Sequence, residues 1–381
     1  MKIVFVSNYF NHHQKPFSDA VSGLKNTEYY FIETQPIEEE RLLQGWKSYQ
    51  EIKYVLRYYE EPKKCQYLIN TADIVVIGSS PAKLVNRRLR ESKVIFRCAE
   101  RQIRSQPSVI KYIWWYIKWH KYYPAKKPVY LLCASAFSAA DYANLGVFRD
   151  KAFKWGYFPE TKYTDIDSLL NKKQKNKIIW VGRLLKLKHP DDVLLVAGRL
   201  RKEGYQFTIE FLGGGEMEQE LRDMACSMGL NDTVRFLGFH PQEEIRSYME
   251  NAGIFLLTSD FREGWGAVLN EAMNSGCAAI ASHAAGSTAF LVKNGENGFV
   301  YRSGDTEELY SRVKYLLEHP NEQRRLGKAA YRTITQVWNE TVAAERFVDL
   351  SGHILAGDDP RDLFESGPCS KAEKLRNDWF G

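Results

Sequence analysis

The chain contains no apolar run near the ~20 residues that cross a bilayer, although its hydrophobic content, 44%, is that of an ordinary globular protein. The amino end, Met1-Lys2-Ile3-Val4-Phe5-Val6, turns polar at Ser7, too early for the apolar core of a signal peptide, and reads as the first strand of a soluble protein. Cysteine is sparse and scattered: Cys65, Cys98, Cys133, Cys226, Cys277 and Cys369 form no C-x-x-C pair, so neither a zinc site nor a disulfide framework is indicated and a reducing cytoplasm is expected. Two nucleotide fingerprints are also missing. Leu212-Gly213-Gly214-Gly215-Glu216 does not complete G-x-G-x-x-G and no Walker lysine motif is present, which argues against a dinucleotide oxidoreductase.

At 381 residues the chain exceeds what one core usually supports. Apolar runs that read as buried strands recur at 3–6, 29–32, 74–77, 94–96 and 129–133, with helix-like stretches between several of them. A second series starts at Ile178 and continues at 207–212, 234–237, 254–257 and 279–281. Such alternation predicts parallel sheets with helices on their faces. Between the series, 162–177 is polar and charged and is expected to be a linker. The expected division is therefore a first α/β domain over 1–161, a second over 178–345, and a helix and tail over 346–381. Trp338-Asn339 separates two helical patterns, 321–336 and 341–355. Asp165-Ile166-Asp167 mimics a metal-binding D-x-D but lies in the linker with no second acidic cluster, so no metal is expected.

The segment FREGWGAVLNEAMNSGCAAIAS, 261–282, carries the most chemistry. Ala267, Val268, Leu269, Ala272 and Met273 fit one packed helical face, entered through the turn Glu263-Gly264-Trp265-Gly266. Glycines there let a ligand approach the backbone. Glu271 falls roughly 6 to 8 Å further along the helix than the entry turn, at 1.5 Å rise per residue, so Glu263 and Glu271 suit two points on one long ligand. Taken alone, the two glutamates fit a solvated helix face better; the neighbouring motifs reverse that reading. Upstream, Ile178 to Val181 is a short apolar run followed by Gly182-Arg183, by Lys188, and by an amphipathic stretch over 191–202. Two cations after a strand would face the crevice where open α/β sheets bind ligands, and they suit a diphosphate.

Strand-Gly-Arg-x4-Lys, then LGGGE, VRFLGF and EGWG-x4-E, in this order, resembles the retaining glycosyltransferases of family 4 over most of 177–347. The resemblance implies a GT-B fold, with two Rossmann-like domains facing each other across a cleft, and a nucleoside-diphosphate sugar as donor with no cofactor and no metal. It implies that Arg183 and Lys188 bind the diphosphate, Glu263 contacts the transferred sugar and Glu271 holds the ribose, with Gly264, Trp265 and Gly266 completing the donor site. The implied reaction is transfer to a glycan or lipid-linked acceptor with retention, the departing phosphate oxygen taking the acceptor proton. A sugar-nucleotide epimerase and a catalytically silent scaffold at the membrane are the competing readings of the same fold. The chain departs from the family at Ala278, usually proline, at Gly286-Ser287-Thr288-Ala289-Phe290, which lacks an acidic residue, and at Ser7 to Gln14, which lacks paired glycines.

The first domain is expected to take the acceptor, with His12, His13, Gln14, Arg97, Glu100 and Arg101 as candidates at strand ends, the histidines foremost because their loop follows the first strand. The net charge of +6 is uneven, since between Lys83 and Lys127 the only acids are Glu91 and Glu100. KYIWWYIKWHKYYPAKK, 111–127, interleaves tryptophans and tyrosines with lysines. It suits an anionic membrane surface, which would make the protein peripheral on the inner face, and equally suits a core helix whose lysines snorkel. No nucleic-acid module accompanies it, so nucleic acid is not an expected partner.

Overall fold

The computed structural model describes residues 1–39, 48–49, 51–105 and 107–381. They form two compact units, one of residues 1–160 and 338–376, the other of residues 161–337 and 377–381.

The first unit is built on a seven-stranded sheet, β1 (Lys2–Ser7), β2 (Glu28–Glu33), β3 (Val55–Arg57), β4 (Ile74–Ile77), β5 (Ile95–Ala99), β6 (Val129–Cys133) and β7 (Ala152–Lys154), in the order β3-β2-β1-β4-β5-β6-β7. Every pairing is parallel. The central strands are apolar on both faces, as a sheet covered by helices requires. The three-residue strands β3 and β7 were not read from sequence, because at the edges such short runs carry too little apolar pattern. Helix Glu340–Ala356 belongs to this unit, where Phe347 packs edge-on against Phe17, Phe96 and Trp155. Asn339 caps that helix by accepting from Val342 N at 2.8 Å, which explains the break after Gln336. The tail forms no helix; it lies along β7, with Cys369 N donating to Lys154 O at 2.8 Å and Lys154 N to Ser370 O at 2.7 Å.

The second unit holds a six-stranded parallel sheet, β8 (Gln174–Val181), β9 (Thr208–Leu212), β10 (Val234–Gly238), β11 (Ala252–Leu257), β12 (Ala278–Ser282) and β13 (Phe299–Tyr301), in the order β10-β9-β8-β11-β12-β13. The stretch expected as a linker is folded: Ile166–Lys172 is a helix that buries Leu169 and Leu170, and β8 begins at Gln174. Its polar composition hid this because only two apolar residues anchor it. The Asp165-x-Asp167 pair serves the fold, Asp165 accepting from Ser168 N at 3.0 Å and Asp167 pairing with Lys328 at 2.8 Å and Arg324 at 3.2 Å.

Strand order reverses beside the first strand of each sheet, between β1 and β4 and between β8 and β11. Loops leaving these strands diverge to opposite sides and open a crevice at the carboxyl edge. The loops after β1 and β8 therefore hold equivalent places in the two units.

Candidate active site

In the second unit, the loops that follow β8 and β9 at the carboxyl edge are tied by backbone hydrogen bonds. Gly182 N donates to Leu212 O at 3.0 Å, Leu184 N to Gly214 O at 3.0 Å, and Met217 N to Leu184 O at 3.1 Å. A Cβ on Gly213 would stand 2.0 Å from the Gly182 carbonyl oxygen, and one on Gly215 would stand 2.5 Å from that of Leu184, so a side chain is excluded at both. The glycine run thus braces the loop that carries Arg183.

That loop leaves Arg183 exposed, with no partner for its guanidinium among the described residues. It ends in a 3-10 turn, Lys186–Lys188, and in His189 at φ 45°, before the helix Pro190–Lys202. Lys188 is held at both ends. Its carbonyl accepts from Thr258 Oγ1, which accepts from Trp180 Nε1 at 3.0 Å, and its ammonium is hydrogen-bonded to Glu263 Oε2. The same carboxylate oxygen accepts from Ser259 Oγ at 3.0 Å. With 15% and 16% of their side chains exposed, Lys188 and Glu263 attract one another through incomplete screening. An arriving anion would compete with Glu263 for Lys188.

Gly266, at φ +87°, turns the chain into the helix Val268–Asn274, and Ser287 N donates to Trp265 O at 3.0 Å. The Trp265 indole, expected near the donor, is buried and donates to Asn270 Oδ1 at 2.9 Å; it is a wedge in the core, and only its backbone remains for a ligand. Asn270 Nδ2, Ser287 Oγ and Thr288 Oγ1 are buried without a partner among the described residues. Glu271 lies in the first turn of its helix and is buried, which pushes its carboxyl above the usual range while a 2.8 Å bond from Gln242 Nε2 pulls the other way. Ser259, Gln242 and Asn270 were not picked out from sequence, because serine and amide side chains carry no spacing signal. His189, Asp191 and Asp192 bring potential metal ligands within 4.8 Å of one another, but His189 Nε2 also lies 3.4 Å from Asp260 Oδ2.

In the first unit, the sequence candidates separate into two groups. His12 and His13 follow β1 with ring centroids 4.0 Å apart, and His13 stacks on Tyr157, which donates to Glu100 Oε1 at 2.7 Å. Burial pushes His12 down to about 4, so its imidazole is neutral at physiological pH. Arg97 and Arg101 serve the fold. The Arg97 guanidinium is hydrogen-bonded to Gly78 O beneath Trp119, and Arg101 lies 3.4 Å from Asp141 and over the Phe137 ring, so Arg97 leaves the set of candidate contacts. Gln14 immediately precedes the helix Lys15–Ser22, its Oε1 buried without a partner among the described residues.

These two parallel-sheet units define a GT-B fold. Anabaena HepE in complex with UDP aligns over 92% of this chain and 99% of its own with a TM-score of 0.69 at 16% identity. The lipopolysaccharide outer core galactosyltransferase WaaB aligns over 92% and 98% with a TM-score of 0.67 at 17% identity. Residues 162–333 match the model of the family Glycosyl transferases group 1, so the family likeness is carried by the second unit. The amylovoran biosynthesis glycosyltransferase AmsK of Erwinia amylovora is 27% identical over 46% of this chain and 44% of its own length. The chain spans less than half the length of the curated relatives it matches first.

Proposed function

We propose that the protein is a retaining, metal-independent glycosyltransferase of family 4, moving a sugar from a nucleoside-diphosphate sugar to a hydroxyl of a glycan or lipid-linked acceptor in surface polysaccharide biosynthesis at the cytoplasmic side. The observation that carries this reading is the gathering of Lys188, Ser259 and Glu263 at the switch point of the second sheet, with Arg183 exposed on the loop that leads to Lys188. A cation held beside a carboxylate, with an exposed arginine on the same loop, suits a ligand that is anionic at one end and rich in hydroxyls at the other. Buried, unpartnered polar atoms of Asn270, Ser287 and Thr288 are further groups that a polar ligand would satisfy. The relatives agree in kind: AmsK is named for amylovoran biosynthesis and HepE was crystallised with UDP.

In this mechanism Arg183 and Lys188 bind the diphosphate and stabilise the charge that develops on it as the bond to the anomeric carbon breaks. Glu263 releases Lys188 to the phosphate and orients the sugar through its hydroxyls, while Glu271 accepts from the ribose. The phosphate oxygen takes the acceptor proton on the face it leaves, so no strong base is required of the protein. His12, His13 and Glu100 with Tyr157 contact the acceptor as hydrogen-bonding groups.

The test is incubation with UDP, GDP and ADP sugars and a panel of alkyl glycosides, with and without EDTA. Nucleoside diphosphate should be released with donors of one base, unaffected by EDTA, and proton NMR should find the product anomer matching the donor. Isomerised sugar in the absence of acceptor would replace this reading with an epimerase, and nucleotide binding without turnover would replace it with a silent scaffold.

A further inference from the structure

The helix Val109–Tyr122 has apolar residues on two faces and covers only one. Trp115 and Trp119 are buried, Trp119 edge-on to Tyr142 at 5.4 Å. Opposite them Val109, Ile110, Ile113, Trp114, Tyr116 and Ile117 are 47% to 81% exposed, the densest exposure of large apolar side chains among the described residues. At 3.6 residues per turn these six fall within an arc of about 160°, one continuous stripe, and Lys111, Lys118 and Lys121 border it along the Trp114 edge. Lys118 Nζ stands 4.9 Å from the Trp114 ring, and Lys126 follows, exposed, beyond the helix. No acidic residue occurs between Glu100 and Asp141. An apolar face of this size, in a stretch of sequence with lysines and no acids, marks an interaction surface.

We propose that this face docks the protein on a bilayer carrying anionic phospholipid headgroups. The basic border decides the occupant. Lysines beside an apolar stripe match a surface that is negative at headgroup depth and apolar beneath, and exposed Trp114 and Tyr116 have the amphipathic rings that settle at that boundary. A second copy of the same face would bring like charges together. The helix, ~21 Å long at 1.5 Å per residue, is too short to span, and no helix among the described residues is long and apolar enough to cross a membrane. It therefore lies in the plane of the surface, Trp115 and Trp119 holding it to the unit.

Co-sedimentation of the full chain with vesicles tests this without any sugar nucleotide, so its outcome is independent of the transferase reading. Binding to phosphatidylcholine mixed with phosphatidylglycerol should exceed binding to phosphatidylcholine alone by roughly a hundredfold, each of three lysines contributing about fivefold, and should fall with salt. An Ile113→Asp, Ile117→Asp variant, changed only at exposed positions, should keep the thermal midpoint and lose at least about tenfold in binding. Lys111→Glu with Lys121→Glu should abolish the lipid preference. Equal binding to both vesicles, or binding indifferent to the aspartates, overturns the proposal. So does failure to bind vesicles at all, whether the chain stays a monomer in gel filtration or forms a dimer that Ile113→Asp dissolves, the latter assigning the face to a second copy.

Discussion

The loop after β8 carries an exposed arginine and, five residues on, a lysine whose counter-ion is a nearby glutamate; at the end of β1, the equivalent place in the other sheet, stand two histidines, one held neutral by burial. The arginines of the first unit that sequence put forward are tied to Gly78 and Asp141 instead. Fixed charge at a switch point suits a ligand of fixed charge, and the diphosphate is the part of a sugar nucleotide that does not vary. Neutral, adaptable donors and acceptors suit hydroxyls, whose arrangement differs from one acceptor to the next. The two units thus share a strand plan while offering different chemistry at the same place in it.

The largest effect is expected from the charged cluster. Lys188→Ala should lower turnover by about 10² to 10³ with the fold intact, as measured by initial rates and a thermal midpoint. Glu263→Gln should reduce turnover more than nucleotide affinity; normal turnover with lost affinity would exchange the roles of Glu263 and Glu271. Next in size, Gly213→Ala, at φ +127° and facing the Gly182 carbonyl, should destabilise by about 2 to 4 kcal/mol in denaturant titration. Gly352→Ala, in the helix Glu340–Ala356 with open space around it, should instead stabilise by up to about 1 kcal/mol. Equal effects would mean that the glycine run does not brace the Arg183 loop.

Two pH effects distinguish the units further. His12 goes from 6.5 to about 4 on folding, so the unfolded chain takes up its proton first. Its contribution is present above pH 6.5 and is lost as pH falls towards 4, by about 2 kcal/mol after allowance for partial exposure. His12→Asn should remove that part of the acid sensitivity in stability curves. Glu271 moves the opposite way, since burial raises its carboxyl. Nucleotide affinity should weaken as pH falls through this raised value, and Glu271→Gln should flatten the dependence in calorimetric titration.

How much of this was legible in the sequence follows the same division. Arg183, Lys188, Glu263 and Glu271 stood out in the sequence because Gly-Arg-x4-Lys and EGWG-x4-E carry the resemblance to the family at fixed spacing. The central strands were readable as apolar runs, whereas β3, β7 and β13, three residues each at or near a sheet edge, were not. Helix Ile166–Lys172 was hidden by its charged composition. Tyr157 was invisible because its link to His13 and Glu100 joins positions far apart in sequence. For 111–127 composition left two environments open, and packing buries Trp115 and Trp119 while leaving Trp114 exposed.

The central claim is that the second unit grips a nucleoside diphosphate through Arg183 and Lys188. Its most direct test is a thermal-shift panel of UDP, GDP, ADP, CMP and TDP sugars against the native chain and Lys188→Ala, without added metal. One base should raise the melting point of the native chain and fail to raise that of the variant; no shift with any nucleotide, or an equal shift in both proteins, would contradict the claim.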